Sequence, residues 1–172
     1  MDIRVTPDGR LAWQGRGQVR RCRCALGREG IGSSKAEGDG RTPVGRFPLR
    51  RVFYRPDRGT VPATVLPVRP LRPVDGWCDD PAHADYNRPV VLPFEAGHER
   101  MWRDDGLYDL VVELGYNDDP PVPGRGSAIF LHVAATDFAP TEGCVALARA
   151  DLVDLLAACD AESYLVVTLE TA

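Results

Sequence analysis

The stretch Ile129–Leu147, IFLHVAATDFAPTEGCVAL, carries two side chains whose types suit nucleophilic chemistry. His132 is one of three histidines in the chain, and Cys144 follows it twelve positions later, directly after Gly143. A cysteine beside an imidazole gains thiolate character, and the imidazole can return the proton to a leaving group. Free cysteine is also among the most buried residue types and packs as a small hydrophobe. Gly143 speaks for chemistry, because a residue without Cβ allows a strained turn and a close approach to substrate. Backbone N–H groups in such a turn, a few residues ahead of a helix, are placed to hold an oxyanion. His132 ends an apolar run, which gives its ring a rigid mount. On the residues alone, nucleophile and core cysteine both stay open.

Other motifs are weaker. Gly38-x-Gly40 and Gly124-x-Gly126 each precede a strand pattern. A dinucleotide site needs its glycines between a strand and a helix N-terminus, so these are turns. The pairs Asp79-Asp80, Asp104-Asp105 and Asp118-Asp119 adjoin Gly or Pro, where aspartate commonly bonds its own backbone. The segment GWCDDPAHADYNRP is denser in polar groups, and Asp80, Tyr86, Asn87 and Arg88 are expected to line a substrate cleft. Cys78, Asp79, Asp80 and His83 lack the second ligand pair that zinc sites show, so no metal is expected.

The elements that must position these residues read as mainly β. Fifteen prolines and seventeen glycines punctuate the chain too often for long helices. Strands are expected at Arg20–Leu26, Arg46–Tyr54, Thr64–Arg69, Leu107–Leu114, Ala128–Val133 and Tyr164–Leu169. Ala128–Val133 is nearly continuous apolar and should be central, buried on both faces. Leu110, Val112 and Leu114 should share one face. The segment ARADLVDLLAAC places Leu152, Leu155, Leu156 and Cys159 at helical spacing. The result is a mainly β fold with one or two helices, a single domain over 1–172, and a long irregular insertion around 70–105. Long ordered loops of that kind often serve function.

Composition excludes several classes. A net charge of -4 leaves no electrostatic footprint for nucleic acid. The arginines of GRGQVRRCR read as a solvated strand face. No stretch approaches the ~20 apolar residues of a membrane span. The N-terminal residues show no secretory leader, which points to the cytoplasm unless a leader is missing or export takes another route. Five cysteines cannot all pair, and Cys22 and Cys24 on one strand are badly placed to bridge. The pattern is no disulfide scaffold.

FLHVAATDFAPTEGCVAL resembles the signature of the YkuD-type L,D-transpeptidase domain, a His, a gap, then Ser/Thr-His-Gly-Cys and a hydrophobic residue. His132, Thr141, Gly143, Cys144 and Val145 match it. GDGRTPVGRFPL is similar to the family's Thr-Pro-x-Gly-x-Phe segment through Thr42, Pro43, Gly45 and Phe47. With GWCDDP…YNRP and LGYND, the likeness covers most of the chain and is nearest the short-spacing proteobacterial branch. Glu142 stands where most of the family has histidine, Ala146 where it has Asn or Arg, and the gap after His132 is shorter.

The resemblance implies a β-sandwich-like fold and a cysteine acyltransferase acting on peptidoglycan stem peptides. Cys144 would attack an amide carbonyl, His132 would take the thiol proton, and N–H groups at Gly143 and Cys144 would hold the oxyanion. Thr141 and Glu142 would border the substrate, Glu142 by meeting an ammonium or by raising the thiol pKa. Asp137 is the candidate to orient His132. No cofactor is implied, and a monomer is expected. The thioester would pass to an amine, forming a crosslink, or to water, as in an L,D-carboxypeptidase of muropeptide recycling. A peptidoglycan-binding module with an idle Cys144 is the remoter alternative. The family places such a protein in the periplasm or cell envelope.

Overall fold

Alternating apolar residues build the first hairpin: β1 (Asp2–Thr6) turns Ile3 and Val5 inward, and β2 (Arg10–Gly15) turns Leu11 and Trp13 inward. The computed structural model describes residues 1–15 and 17–171. β3 (Gln18–Ala25) exposes Arg20, Arg21 and Arg23 and buries Cys22 and Cys24, so the basic run is a solvated face. β4 (Ile31–Gly32) and β5 (Thr42–Pro43) form a short parallel pair, and β6 (Gly45–Tyr54) is the longest strand. β7 (Val68–Pro70), β8 (Asp75–Cys78), β9 (Pro89–Val91) and β10 (His98–Arg100) follow. The chain then runs through β11 (Leu110–Leu114), β12 (Phe130–Val133), β13 (Val145–Leu147), α1 (Arg149–Ala158) and β14 (Tyr164–Val167). α1 is the one helix among the described residues.

β6 closes the main sheet on itself. Its first half pairs with β14 and its second half with β11, joining the two ends of the order β11-β12-β13-β3-β2-β1-β14-β6. Inside lies the larger core, which includes Leu110, Val112 and Leu114 on one face of β11 and Leu131 of β12. α1 docks Leu152, Leu155 and Leu156 into that core, and Cys159 follows just past its end. A smaller core covers the other face of β11 and β12, built from Phe53, Leu71, Trp77, Met101, Tyr108, Val111, Phe130 and Cys144. β12 is therefore buried on both sides, as its apolar run predicts.

Two expectations need correction. The strand expected over Thr64–Arg69 shrinks to Val68–Pro70, because Pro62 and Pro67 remove donors from any ladder there. The 70–105 segment is not irregular: β8 is its centre, with β9 and β10 paired on either side. Its prolines fall at strand ends or between strands, where a missing N–H costs no ladder bond. The sequence reading also passed over β1 and β2.

The docking of α1 gives a direct test. Leu155 is fully buried, so Leu155→Ala should cost about 2–5 kcal/mol of stability. Urea denaturation should show a lower midpoint at unchanged slope.

Candidate active site

The site begins with a parallel strand pair. Leu131 registers with Val145 and His132 with Ala146, which sets Cys144 beside Phe130. Side chains two positions apart share a face, so Phe130, His132 and Cys144 all point into the smaller core's side. From strand spacing and rise, the His132 and Cys144 Cα atoms are separated by about 8 Å, within reach of one another's side chains. Both residues are buried, at 5% and 8% exposure.

Gly143 makes the turn into β13 possible. Its φ of 140° and a position where a Cβ would sit 2.8 Å from the Arg41 carbonyl oxygen exclude other residues. Thr141 braces the same turn: its hydroxyl donates to the Cys144 carbonyl at 2.7 Å and accepts from the Gly143 N–H at 3.1 Å. Backbone bonds from Thr141 to Leu26 and from Arg28 to Thr141 tie the turn to the chain after β3.

The thiol is held from two sides. Phe130 N–H donates to Sγ at 3.3 Å, and Sγ donates to the Ala128 carbonyl at 3.2 Å. Burial pushes the thiol pKa up to about 12; the Glu99 carboxylate adds to this, against the Phe130 N–H, Lys35 and Arg103. His132 Nδ1 lies 2.8 Å from the Val133 carbonyl, which can only accept, so Nδ1 carries the proton and Nε2 is left basic. Burial lowers the imidazole pKa to about 4, although the Val133 carbonyl favours the charged ring. Thiol and imidazole are thus both neutral in the free protein.

Val133, not Asp137, orients His132. Asp137 instead accepts the Ala139 N–H at 3.0 Å within its own loop. The Tyr108 ring supports the imidazole edge-on, with centroids 5.2 Å apart. Tyr108 donates to Glu99 at 2.6 Å, and Arg103 lies 3.5 Å from the same carboxylate.

Cys144 and His132 line a cavity of 580 Å³. Thr141 and Glu142 border it too. The expected cleft residues Asp80, Tyr86, Asn87 and Arg88 do not line it. Asp80 accepts the Ala82 N–H in a turn. Tyr86 and Asn87 are buried, with their polar atoms taken up by Glu37, Gly126, Trp77, Ala128, Tyr116 and Asn117. Arg88 lies at a separate depression with Arg50, Arg51 and Glu113. The 70–105 segment reaches the cavity instead through Asp79, His98, Glu99, Arg100 and Arg103.

Lys35, Glu37, Tyr108 and Ser127 complete the charged and polar lining that the sequence reading missed. Lys35 is the chain's single lysine, a signal readable in advance. Its ammonium is nearly buried and bonds Asp39. Glu142 is 79% exposed at the rim and ion-paired with Arg28, so any ammonium it meets must compete with that guanidinium. Among the described residues no three His, Cys, Asp or Glu side chains converge as metal ligands. Among the described residues no helix is long and apolar enough to cross a membrane.

A cysteine just ahead of β13 and a histidine on β12 share one face behind a glycine turn and open onto one cavity, an arrangement suited to nucleophilic chemistry. The chain belongs to the YkuD family, the L,D-transpeptidase catalytic domain, whose model matches residues 3–167. The helical cell shape determining protein Pgp2 (K307A mutant) of Campylobacter jejuni aligns over 99% of this chain at 15% identity and a TM-score of 0.52. Bd1075 of Bdellovibrio bacteriovorus aligns over 96% at 14% identity and a TM-score of 0.49. At that identity the first likeness is one of fold. The chain spans 47% and 46% of those two proteins, about half of each. No curated protein matches it by sequence.

The buried neutral imidazole sets a pH dependence. With the folded pKa near 4 and an ordinary value of 6.5, the unfolded chain binds the proton more tightly. Stability should therefore fall as pH drops from about 6.5 to about 4, by up to ~3 kcal/mol. Urea titrations against pH should show this loss, and His132→Gln should remove it. A Gly143→Ala chain should be destabilised at every pH.

Proposed function

We propose that the chain is a cysteine-dependent L,D-transpeptidase that acts on peptidoglycan stem peptides, with Cys144 as nucleophile and His132 as general base. The observation that carries this reading is that His132 on β12 and Cys144 just ahead of β13 share one face and line the same cavity. The cavity lining supports the substrate class. Lys35, Arg100 and Arg103 stand with Glu37, Asp79 and Glu99, a mixture suited to a short peptide bearing both amines and carboxylates.

The steps follow from the resting geometry. A bound peptide displaces water, and the thiol proton leaves the Ala128 carbonyl for His132 Nε2. Sγ attacks the amide carbonyl of the donor stem. The imidazolium formed is stabilised by the Val133 carbonyl. The Gly143 N–H is taken by Thr141, which leaves the Cys144 N–H to meet the oxyanion. Collapse breaks the C–N bond, and His132 protonates the departing amine. His132 then accepts a proton from an incoming stem amine as it attacks the thioester carbonyl, and the thiol is released. Water in place of the amine gives hydrolysis. Which acceptor wins depends on how well the cavity orients an amine.

Incubation with disaccharide-tetrapeptide and mass spectrometry of the products tests the reading. A crosslinked dimer is the expected product. Tripeptide alone would make the chain a carboxypeptidase, and unchanged substrate would leave a binding module. Cys144→Ala should fold normally and be inert, while His132→Ala should lose ~100-fold or more of the rate. Turnover by Cys144→Ala near the unmodified rate would remove the nucleophile.

A further inference from the structure

Ala128 holds a backbone conformation that alanine rarely takes, with φ at 51°. In this left-handed region the Cβ crowds the following carbonyl oxygen, so something must hold the residue there. A turn with no other duty would place glycine at such a point, as the chain does nearby at Gly124 and Gly126. Both peptide groups of Ala128 are engaged. Its N–H donates to Asn87 Oδ1 at 3.0 Å, and its carbonyl accepts the Cys144 thiol at 3.2 Å.

Asn87 is 5% exposed and itself left-handed, with φ at 56°. Its side chain has no spare capacity. Oδ1 also accepts Trp77 Nε1–H at 2.9 Å, while Nδ2 donates to the Tyr116 and Asn117 carbonyls at 3.0 and 2.8 Å. The amide thus fastens the β8–β9 hairpin to the two segments that lead into β12. Through Ala128, it stands one residue from the nucleophile.

We propose that Asn87 is a positioning residue for Cys144: it clamps Ala128 in the left-handed conformation and so aims the Ala128 carbonyl at the thiol. The carbonyl then parks the thiol proton and fixes the Sγ position until substrate enters. This inference rests on Cys144 being the nucleophile of the reaction proposed above.

The sulfur sits between one acceptor and one donor. The Ala128 carbonyl favours the neutral thiol, whereas the Phe130 N–H favours the thiolate. Freeing Ala128 removes the acceptor and leaves the donor. The thiol should become more acidic while its position is lost. The other groups bearing on it, Glu99, Lys35, Arg103, Tyr108 and His132, stay in place.

The test is alkylation of Cys144 by iodoacetamide across the neutral and alkaline range, read by peptide mass spectrometry so that the other four cysteines are counted separately. Muropeptide turnover is measured in parallel. Asn87→Ala should alkylate several-fold faster near neutrality, with the profile shifted to lower pH. Its kcat should fall about tenfold or more at little-changed KM, as misplacement of a reacting atom does. Glycine enters the left-handed region without the steric cost that alanine meets, so adding Ala128→Gly to Asn87→Ala should bring both readouts back towards the unmodified chain. Ala128→Val leaves the bonds of Asn87 to Trp77, Tyr116 and Asn117 intact and should act like Asn87→Ala; it decides the matter if Asn87→Ala does not fold. Unmodified profiles in the folded Asn87→Ala or Ala128→Val chain would overturn the proposal. So would a changed Asn87→Ala profile that glycine at 128 does not restore. Persistent turnover by Cys144→Ala would instead remove the proposed reaction, and the alkylation arm would still report on the clamp.

Discussion

The parallel pairing of β12 with β13 is the constraint on which the site depends. Only this register places Cys144 beside Phe130 and two steps from His132 on the same face. A one-residue slip would send the thiol to the opposite face, into the larger core. Parallel strands require a crossover, usually of a dozen or more residues with a helix. Here the loop 134–144 makes the crossing without one. It is held by Ala134 N–H on the Leu147 carbonyl, Thr141 on the backbone after β3, and a glycine at the point of tightest approach. The turn that presents Cys144, the proposed nucleophile, is therefore tied at both ends, and His132 rides on β12, the strand this loop leaves.

Burial does two things at this site. It rigidifies both reacting groups by packing them into the smaller core with Tyr108 and Phe130. It also penalises charge on either, which raises the thiol pKa and lowers that of the imidazole. Both groups are thus neutral at rest, and in the proposed mechanism the proton transfer that charges them belongs to the bound complex. Exclusion of water by a bound peptide would then strengthen their mutual attraction, because screening weakens away from bulk solvent. The Val133 carbonyl and Phe130 N–H are already aimed at the two charges that transfer would produce. Desolvation keeps the resting pair uncharged, and its backbone dipoles are already in place.

What the sequence disclosed was local. The apolar run of β12, the helical spacing of Leu152, Leu155 and Leu156, and the Gly-Cys turn are patterns within a few residues, and each appears in the fold. The closure of the sheet through β6 was not legible, because pairing one strand with two partners depends on its length and curvature. The partner of His132 was misjudged for a related reason. A side-chain carboxylate was sought in the sequence, while the backbone carbonyl of the next residue performs the task, and backbone acceptors leave no mark in residue types. Tyr86 and Asn87 read in sequence as cleft residues, and the structure buries them instead. Their polarity serves buried bonds that join segments, which in sequence looks the same as polarity facing a ligand.

The same distinction governs the acidic residue nearest the nucleophile. Glu142 adjoins the glycine before Cys144, but Gly143 turns the chain so that the Glu142 side chain leaves for the rim and meets Arg28. An exposed pair of that kind contributes little to stability. The carboxylate that bears on the thiol is Glu99, carried by β10 and held by Tyr108 and Arg103. The small sheet of β8, β9 and β10 thus supplies the electrostatic setting of Cys144, through Glu99, and, on the proposed clamp, its mechanical one, through Asn87 beside β9. If Cys144 is the nucleophile proposed, variation in this segment would change its charge and its aim while His132 and Cys144 stay the same.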